Sequence, residues 1–275
     1  NVFADPCDQT RSLVFFQSGD LSRKQKIITS PPTVEAFEKV ILAAIRDGAD
    51  QVFVQTVNRM QGETYNNANT ATTKVAASLP EDKKVTLRVM DSRTVFSGQG
   101  LMVAETLRRL VKQQDPNIVR RQMDTLSSKI HTFVLPKSPL LALERAKMRG
   151  EKAVGWTQAF IANAIGIHPI LCIVNDGSYR AAKVKGFEKA AAQLFAHACS
   201  QIINGLLSPI IVVNYAGPLE ILRAMQGFSE LEAVARDHKV QLVVGIMSLA
   251  GGIYTSPGSI NLALMAEPHP WQGRQ

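Results

Sequence analysis

Apolar residues recur along this chain with two periods, and the switch between them predicts its elements. Between positions 33 and 47 they fall at Val34, Phe37, Val40, Ile41, Ala44 and Ile45, the three-and-four spacing of a helix with one buried face. Pro31 and Pro32 stand just ahead, where a missing N–H does little harm, and Gly48 follows as the stop. Residues 51–57 (QVFVQTV) predict a strand, 64–78 a helix, 85–90 (VTLRVM) a strand, 100–112 a helix and 130–135 (IHTFVL) a further strand. Such strand–helix repetition predicts a parallel sheet covered by helices on both faces.

The second half is more mixed. Residues 169–174 and 179–184 flank Asn175-Asp176-Gly177-Ser178, and Asp-Gly between two such runs signals a hairpin. A helix over about 187–206 follows, then a strand at 209–214, helices near 219–225 and 229–237, a strand at 240–247 and a last apolar run at 260–265. The charged, glycine-bearing stretch 147–155 suggests a junction. The expected architecture is two α/β domains: residues 1–150 with a mostly parallel sheet covered by helices, and residues 151–275.

Composition narrows the class. The 275 residues are 45% hydrophobic and 20% charged, enough apolar material for a large core and too much for a mostly disordered chain. The longest apolar stretch, 160–174, is interrupted by Asn163, His168 and Pro169 and is too short to span a bilayer. No basic-then-apolar leader opens the chain, and Asn1 suggests a trimmed start. Cys7, Cys172 and Cys199 are odd in number and far apart, which predicts neither a disulfide framework nor a metal site and points to a reducing cytoplasm.

The net charge of +8 suits an anionic partner. Nucleic acid is a poor fit, because aromatic residues make up only 6% and the basic residues are spread out. The densest groups (Arg23, Lys24 and Lys26; Arg108, Arg109 and Lys112; Arg145, Lys147, Arg149 and Lys152; Arg180, Lys183 and Lys185) are expected to be solvated faces. No GxSxG elbow, HExxH helix or phosphate-binding GxxxxGK[ST] loop occurs, and the five histidines never pair at helical ligand spacing. The Gly98-Gln99-Gly100 element lacks a third Gly or Ala at Val103, so a tight turn feeding a helix is expected there rather than a dinucleotide site.

Hydroxyl and amide residues collect where the expected parallel strands end: Thr29 and Ser30, Thr56 and Asn58, Asp91 and Ser92. In an open parallel sheet those ends form the ligand crevice. Gln61, Gly62 and Thr64 precede a helix whose first N–H groups attract an anion. The pattern favours a small anionic group held by neutral donors, against the plainer reading that Thr29, Ser30 and Thr64 cap helices.

These same segments resemble the DegV family. The stretch Thr29-Ser30-Pro31-Pro32-Thr33, followed by Phe37, is similar to its TSQPS…F segment, and Asp91-Ser92 with Ser97-Gly98-Gln99-Gly100 to its DS…S.G.G element. Gly166-Ile167-His168-Pro169-Ile170-Leu171, then Asp176-Gly177 and Lys183-Val184-Lys185-Gly186, resembles IKPIL…DG…KVR. Gly252-Ile253-Tyr254-Thr255-Ser256-Pro257-Gly258 resembles the GxHTGPG ending, and Val2 to Asp8 the opening VTDS strand. The resemblance implies two α/β domains with a long-chain fatty acid (C14–C18, for instance palmitate) in a tunnel between them. It implies no catalysis, cofactor or metal of its own, and a separate fatty acid kinase catalytic subunit as partner, with at most transient contact with a membrane surface.

In the family the carboxylate is held by the Thr of TSQP, the second Ser of SSxxSGT and the His of HTGPG. Thr29 matches the first. Aligning glycine on glycine puts Gln61 at the second position, whereas aligning without a gap puts Gly62 there; Tyr254 replaces the His. Gln61 and Tyr254 still donate hydrogen bonds but bring no positive charge. The implied carboxylate site is therefore Thr29, Ser30, Asn58, Gln61, Gly62, Tyr254 and Thr255, with Lys185 as a partner contact where the family has Arg. A sixteen-carbon tail would contribute roughly 10 kcal/mol at about 0.8 kcal/mol per methylene, so a polar head needs only to be satisfied. Phe160, Ile161, Ile165, Ile167, Leu171, Met247, Leu262 and Leu264 are the expected lining, or plain core. The alternative function is an enzyme acting on an acidic metabolite at the strand-end crevice.

Overall fold

Among the described residues, two sheets pack on opposite sides of the helix Ser97–Val111. A computed structural model describes residues 8–19, 21, 27, 29–112, 114–148 and 166–273, with the backbone alone for 146–148. In chain order the elements are α1 (Gln9–Gln17), α2 (Val34–Arg46), β1 (Gln51–Thr56), α3 (Thr64–Ser78), β2 (Thr86–Asp91), α4 (Ser97–Val111), α5 (Pro116–Leu126), β3 (Ile130–Leu135) and α6 (Pro139–Met148). They continue as β4 (Ile167–Val174), β5 (Gly177–Lys185), α7 (Phe187–Asn204), β6 (Ile210–Tyr215), α8 (Leu219–Arg223), α9 (Phe228–Asp237), β7 (Gln241–Ile246), α10 (Leu249–Thr255) and β8 (Ile260–Met265).

Among the described residues β1 and β2 form a two-stranded parallel sheet, from Gln51 opposite Thr86 to Thr56 opposite Asp91. Alternation along a strand sends Val52, Val54 and Leu87 to one face, where Ile41 and Ile45 of α2 and Ala71 and Val75 of α3 cover them. Phe53 and Met90 point the other way, onto Leu101 and Met102 of α4. That helix also packs on Ile130, Val212, Ala263 and Met265 of the second sheet, so it is the shared layer. The second sheet has six strands in the order β5-β4-β3-β8-β6-β7. Its opposite face (Phe133, Leu135, Ile211, Val213, Leu262, Leu264) lies under α7 and α9.

The run 130–135 forms a strand as expected but is not the third strand of the parallel sheet. It lies inside the six-stranded sheet, antiparallel to both β4 and β8. All six of its residues are buried, His131 and Thr132 included, and burial on both faces leaves no alternation to show which way the neighbours point. The unexpected helix α5, capped by Asp115 with Pro116 at its first position, lies between α4 and this strand. The hairpin turn is Asn175-Asp176, both at positive φ (46° and 67°), with Gly177 already paired to Val174 in the strand. The helix after the GxG element starts at Ser97, so Gly98 lies in its first turn, where a Cβ would stand 2.1 Å from the Thr132 hydroxyl oxygen. Glycine is required there for α4 to approach β3.

Two of the basic groups are not solvated faces. Arg108 and Arg109 clamp the fully buried Glu105, which also accepts from the Ser208 hydroxyl at 2.8 Å, and Arg145 is buried. The group Arg23, Lys24 and Lys26, and residues 149–155 of the suggested junction, lie outside the described residues. No helix among the described residues is long and apolar enough to cross a membrane.

The C-terminal segment is held down by imidazoles. His131 Nε2 donates to the Ala266 carbonyl at 3.2 Å, and the Gln272 N–H donates to His197 Nδ1 at 3.0 Å. His197 Nε2 then donates to His269 Nε2 at 3.2 Å, and His269 Nδ1 donates to the Glu267 carbonyl at 2.7 Å. Burial, reinforced by the His269 ring, lowers the pKa of His131 from 6.5 to about 4 and that of His197 to about 3. The folded state therefore holds fewer protons than the unfolded chain, and stability is lost as pH falls below 6.5. The unfolding free energy from urea titrations should stay level above about pH 7 and then fall, by up to about 1.4 kcal/mol per pH unit for each histidine, before most carboxylates titrate. A level free energy down to about pH 5 would overturn this assignment.

Candidate functional site

Three segments distant in sequence meet beside α10. Thr33, rather than Thr29 or Ser30, caps α2, its hydroxyl accepting from the Ala36 N–H at 3.2 Å. Likewise Thr64 is the first residue of α3, whose cap position is Glu63. The capping reading thus fails for all three. Thr29 instead places its hydroxyl 2.5 Å from the Tyr254 hydroxyl, 225 residues away. Ser30 beside it is exposed, and Pro32 is tied to α3 through its carbonyl, which accepts from Asn67 Nδ2 at 2.8 Å.

Tyr254 owes its position to close packing of α10. Ser248 caps that helix, and a Cβ on Gly252 would lie 2.1 Å from the Phe16 ring, so only glycine lets α10 settle against α1. Thr255 is buried, and its hydroxyl donates back to the Gly251 carbonyl at 3.0 Å. The following turn is fastened to the start of α6: the Ser138 N–H donates to Ser256 Oγ at 3.0 Å and the Lys137 N–H to Ser259 Oγ at 2.9 Å. From α6, Arg145 reaches back and donates from Nη1 to the Ile27 carbonyl at 3.1 Å. Ile27 and Thr29 are thereby linked with α6 and α10 in a closed circuit.

A second cluster stands at the carboxyl ends of β1 and β2. Asn58 is buried; its Oδ1 accepts from the Met60 N–H at 2.7 Å and caps the short helical turn Arg59–Gln61. Gln61 is half-buried, and Gly62 is exposed at φ 129°. Asp91 accepts from the Arg59 and Arg93 N–H groups and pairs with Arg59 Nε at 2.6 Å. That hydrogen bond raises the Arg59 pKa, while burial and the Asp91 charge raise that of Asp176. The strand-end crevice thus carries both signs of charge, arranged by short-range pairing.

Apolar side chains border both clusters. Phe16, Met247, Ile253 and Ile27 pack together beside Tyr254, and Val57, Val95, Phe96, Leu171 and Ala142 form a further group between the two sheets. Leu262 and Leu264 belong to the core under α7, whereas Ile167 is half-buried. Phe160, Ile161 and Ile165 lie outside the described residues. Lys185 is exposed at the end of β5, opposite Ile167. Arg145 is the residue that sequence reasoning missed. Its only signal was a place in a basic run, and an arginine in a run gives no indication of which way its helix faces.

Known proteins share the sequence pattern and the fold. The family model described as an uncharacterised protein of the DegV family matches residues 17–267. A DegV domain-containing protein of Xanthomonas axonopodis pv. citri is 28% identical over 98% of this chain and 88% of its own length. The crystal structure of a stearic acid-binding protein of Eubacterium ventriosum aligns with TM-score 0.73 at 19% identity, covering 96% of this chain and 86% of that one. A DegV family protein of Eubacterium eligens loaded with heptadecanoic acid aligns with TM-score 0.70 at 17% identity, over 94% and 86%.

The Thr29–Tyr254 contact is testable without any ligand. Thr29→Val and Tyr254→Phe should each destabilise the protein by about 0.5–1.5 kcal/mol in urea titrations. The double variant should be no worse than the larger single effect, because both substitutions delete the same bond. Additivity of the two to within about 0.3 kcal/mol would show that the hydroxyls do not interact.

Proposed function

This chain belongs to the DegV family, and on that premise we propose that it binds a long-chain fatty acid, with the carboxylate at the Thr29–Tyr254 hydroxyl pair. The observation that carries the reading is that pair itself. Two residues assigned to one head group by their place in widely separated motifs are in hydrogen-bond contact. Ile27 and Ile253, close in the chain to this pair, belong to an apolar cluster with Phe16 and Met247, and each methylene buried in such surroundings contributes about 0.8 kcal/mol. The proposed route for the tail runs beside α4, along the apolar group of Val57, Val95, Phe96 and Leu171, and the expected chains are C14–C18.

The chain acts as a carrier rather than a catalyst, presenting the carboxylate to a separate kinase subunit in the cytoplasm. That subunit transfers the terminal phosphoryl group of ATP to a carboxylate oxygen, giving an acyl phosphate and ADP. Lys185, exposed at the end of β5, is the proposed contact for it.

Organic extraction of the purified protein followed by mass spectrometry should return close to one C14–C18 fatty acid per chain. Thr29→Val should weaken binding of a fluorescent fatty acid by about tenfold, the effect of leaving one buried polar group unpaired. A polar ligand in the extract, or unchanged affinity in a variant with the parental melt, would refute the assignment.

A further inference from the structure

Among the described residues the two sheets have four outer strand edges, and three of them are closed by side chains. On β2 the Arg88 Nη1 donates to the Leu87 carbonyl at 2.8 Å, β5 carries Arg180, Lys183 and Lys185, and on β7 the Ile246 N–H donates to Gln9 Oε1 at 3.3 Å. Charges and occupied backbone groups of this kind keep a sheet from pairing with another chain. The fourth edge, β1, has neither a charge nor a proline. The Thr86 N–H donates to the Asp50 carbonyl and the Ser92 N–H to the Thr56 carbonyl, so even-numbered residues of β1 face β2. Gln51, Phe53 and Gln55 therefore turn their N–H and C=O groups outward. Among the described residues only the Gln55 carbonyl is engaged there, at 3.4 Å from Gln99 Nε2.

The surface on both sides of that edge is apolar. Toward α2, the side chains of Ala36, Phe37, Val40, Ala44, Val52 and Val54 line a groove of about 340 Å³, and Val40 is 68% exposed. Toward α4, Gln99 and Thr106 both bond to Gln55, and Val103, one turn from each, is 40% exposed. We propose that two copies of this chain pair here about a twofold axis, β1 antiparallel to the partner's β1 and α2 antiparallel to the partner's α2. The outward groups centre on Phe53, so an axis there lets the two Phe53 residues exchange both N–H···O bonds. The groove centres on Val40 at the same level, which sets Ala36 against the partner's Ala44 and lets the helices approach closely. It also brings Asp47, at the end of its own α2, beside Thr33 at the start of the partner's α2, where free N–H groups favour an anion. Helix α2 is 13 residues long, about 20 Å, and the three layers stand about 30 Å deep. That is on the order of 600 Å² a side, or about 1,200 Å² in all, the lower limit of specific interfaces. The contact is self-complementary, so assembly stops at two chains.

Sedimentation velocity from about 1 to about 200 µM should show the one-chain mass giving way to the two-chain mass, with a dissociation constant of about 10 µM for so small an interface. V40E sets two carboxylates against each other at the axis and should raise that constant at least about tenfold with the parental thermal melt. I203E changes a residue of α7 that is 61% exposed and should leave the constant unchanged. Hydrogen exchange followed amide by amide needs no variant: the Phe53 N–H should exchange at least about tenfold more slowly at the high concentration than at the low one. A parent that stays one chain at every concentration overturns the proposal, including one whose edge is held by a different polypeptide that co-purifies with it. So does assembly beyond two chains, a V40E variant that pairs like the parent, or I203E that dissociates as readily as V40E. If V40E does not fold, a dimer whose Phe53 amide exchanges at the monomer's rate is enough to overturn it.

Discussion

The site depends on a circuit of three long-range contacts that hold one loop against two helices. Thr29 meets Tyr254, the turn after Tyr254 is bonded to the start of α6 at Ser138, and α6 returns through Arg145 to Ile27. Each contact spans more than a hundred residues of chain, so none forms from local propensity. Each also ends on a short irregular segment that no ladder of hydrogen bonds supports. Ile27 and Thr29, each bonded to a distant helix, lose most of their freedom on folding.

The remainder of the molecule keeps that circuit in register. Helix α4 packs on β1 and β2 with one side and on the six-stranded sheet with the other, so the strand ends that carry Asn58 and Asp91 cannot drift from the strands that lead into α6 and α10. Gly98 is essential to this arrangement, because α4 lies too close to Thr132 for any side chain. Glu105 supplies the polar counterpart: it is buried on the same helix, neutralised by two arginines of its own turn, and bonded to Ser208 just before β6.

Much of this was legible in the sequence because apolar periodicity survives folding. The helix over 64–78 and the strand at 130–135 were read with their observed ends, since each is bounded by polar or turn residues and its apolar spacing is unbroken. Strand direction was not legible: a strand covered on both faces, as 130–135 is, carries no sign of which way its neighbours run. Helix α5 was missed even though Asp115-Pro116 is a good start signal, because its polar residues outnumber the apolar ones that define a face. Of the site, Thr29 and Tyr254 were reached only through resemblance to a family, and nothing in the spacing of either predicts the other. Arg145 was misread because composition ranks arginine as a surface residue, whereas burial is decided by what its helix packs against.

The imidazole chain under the C-terminal segment has an optical consequence. Trp271 stacks on His197 with ring centroids 4.3 Å apart and planes at 22°, and the chain has only two tryptophans. An indole in face contact with an imidazole loses emission when that ring gains a proton. The protein therefore carries its own fluorophore at the place where residues 266–272 leave the sheet, and that fluorophore is sensitive to whether the segment is seated. Detachment of this segment, by acid or by denaturant, would register as a change in tryptophan emission without any attached dye.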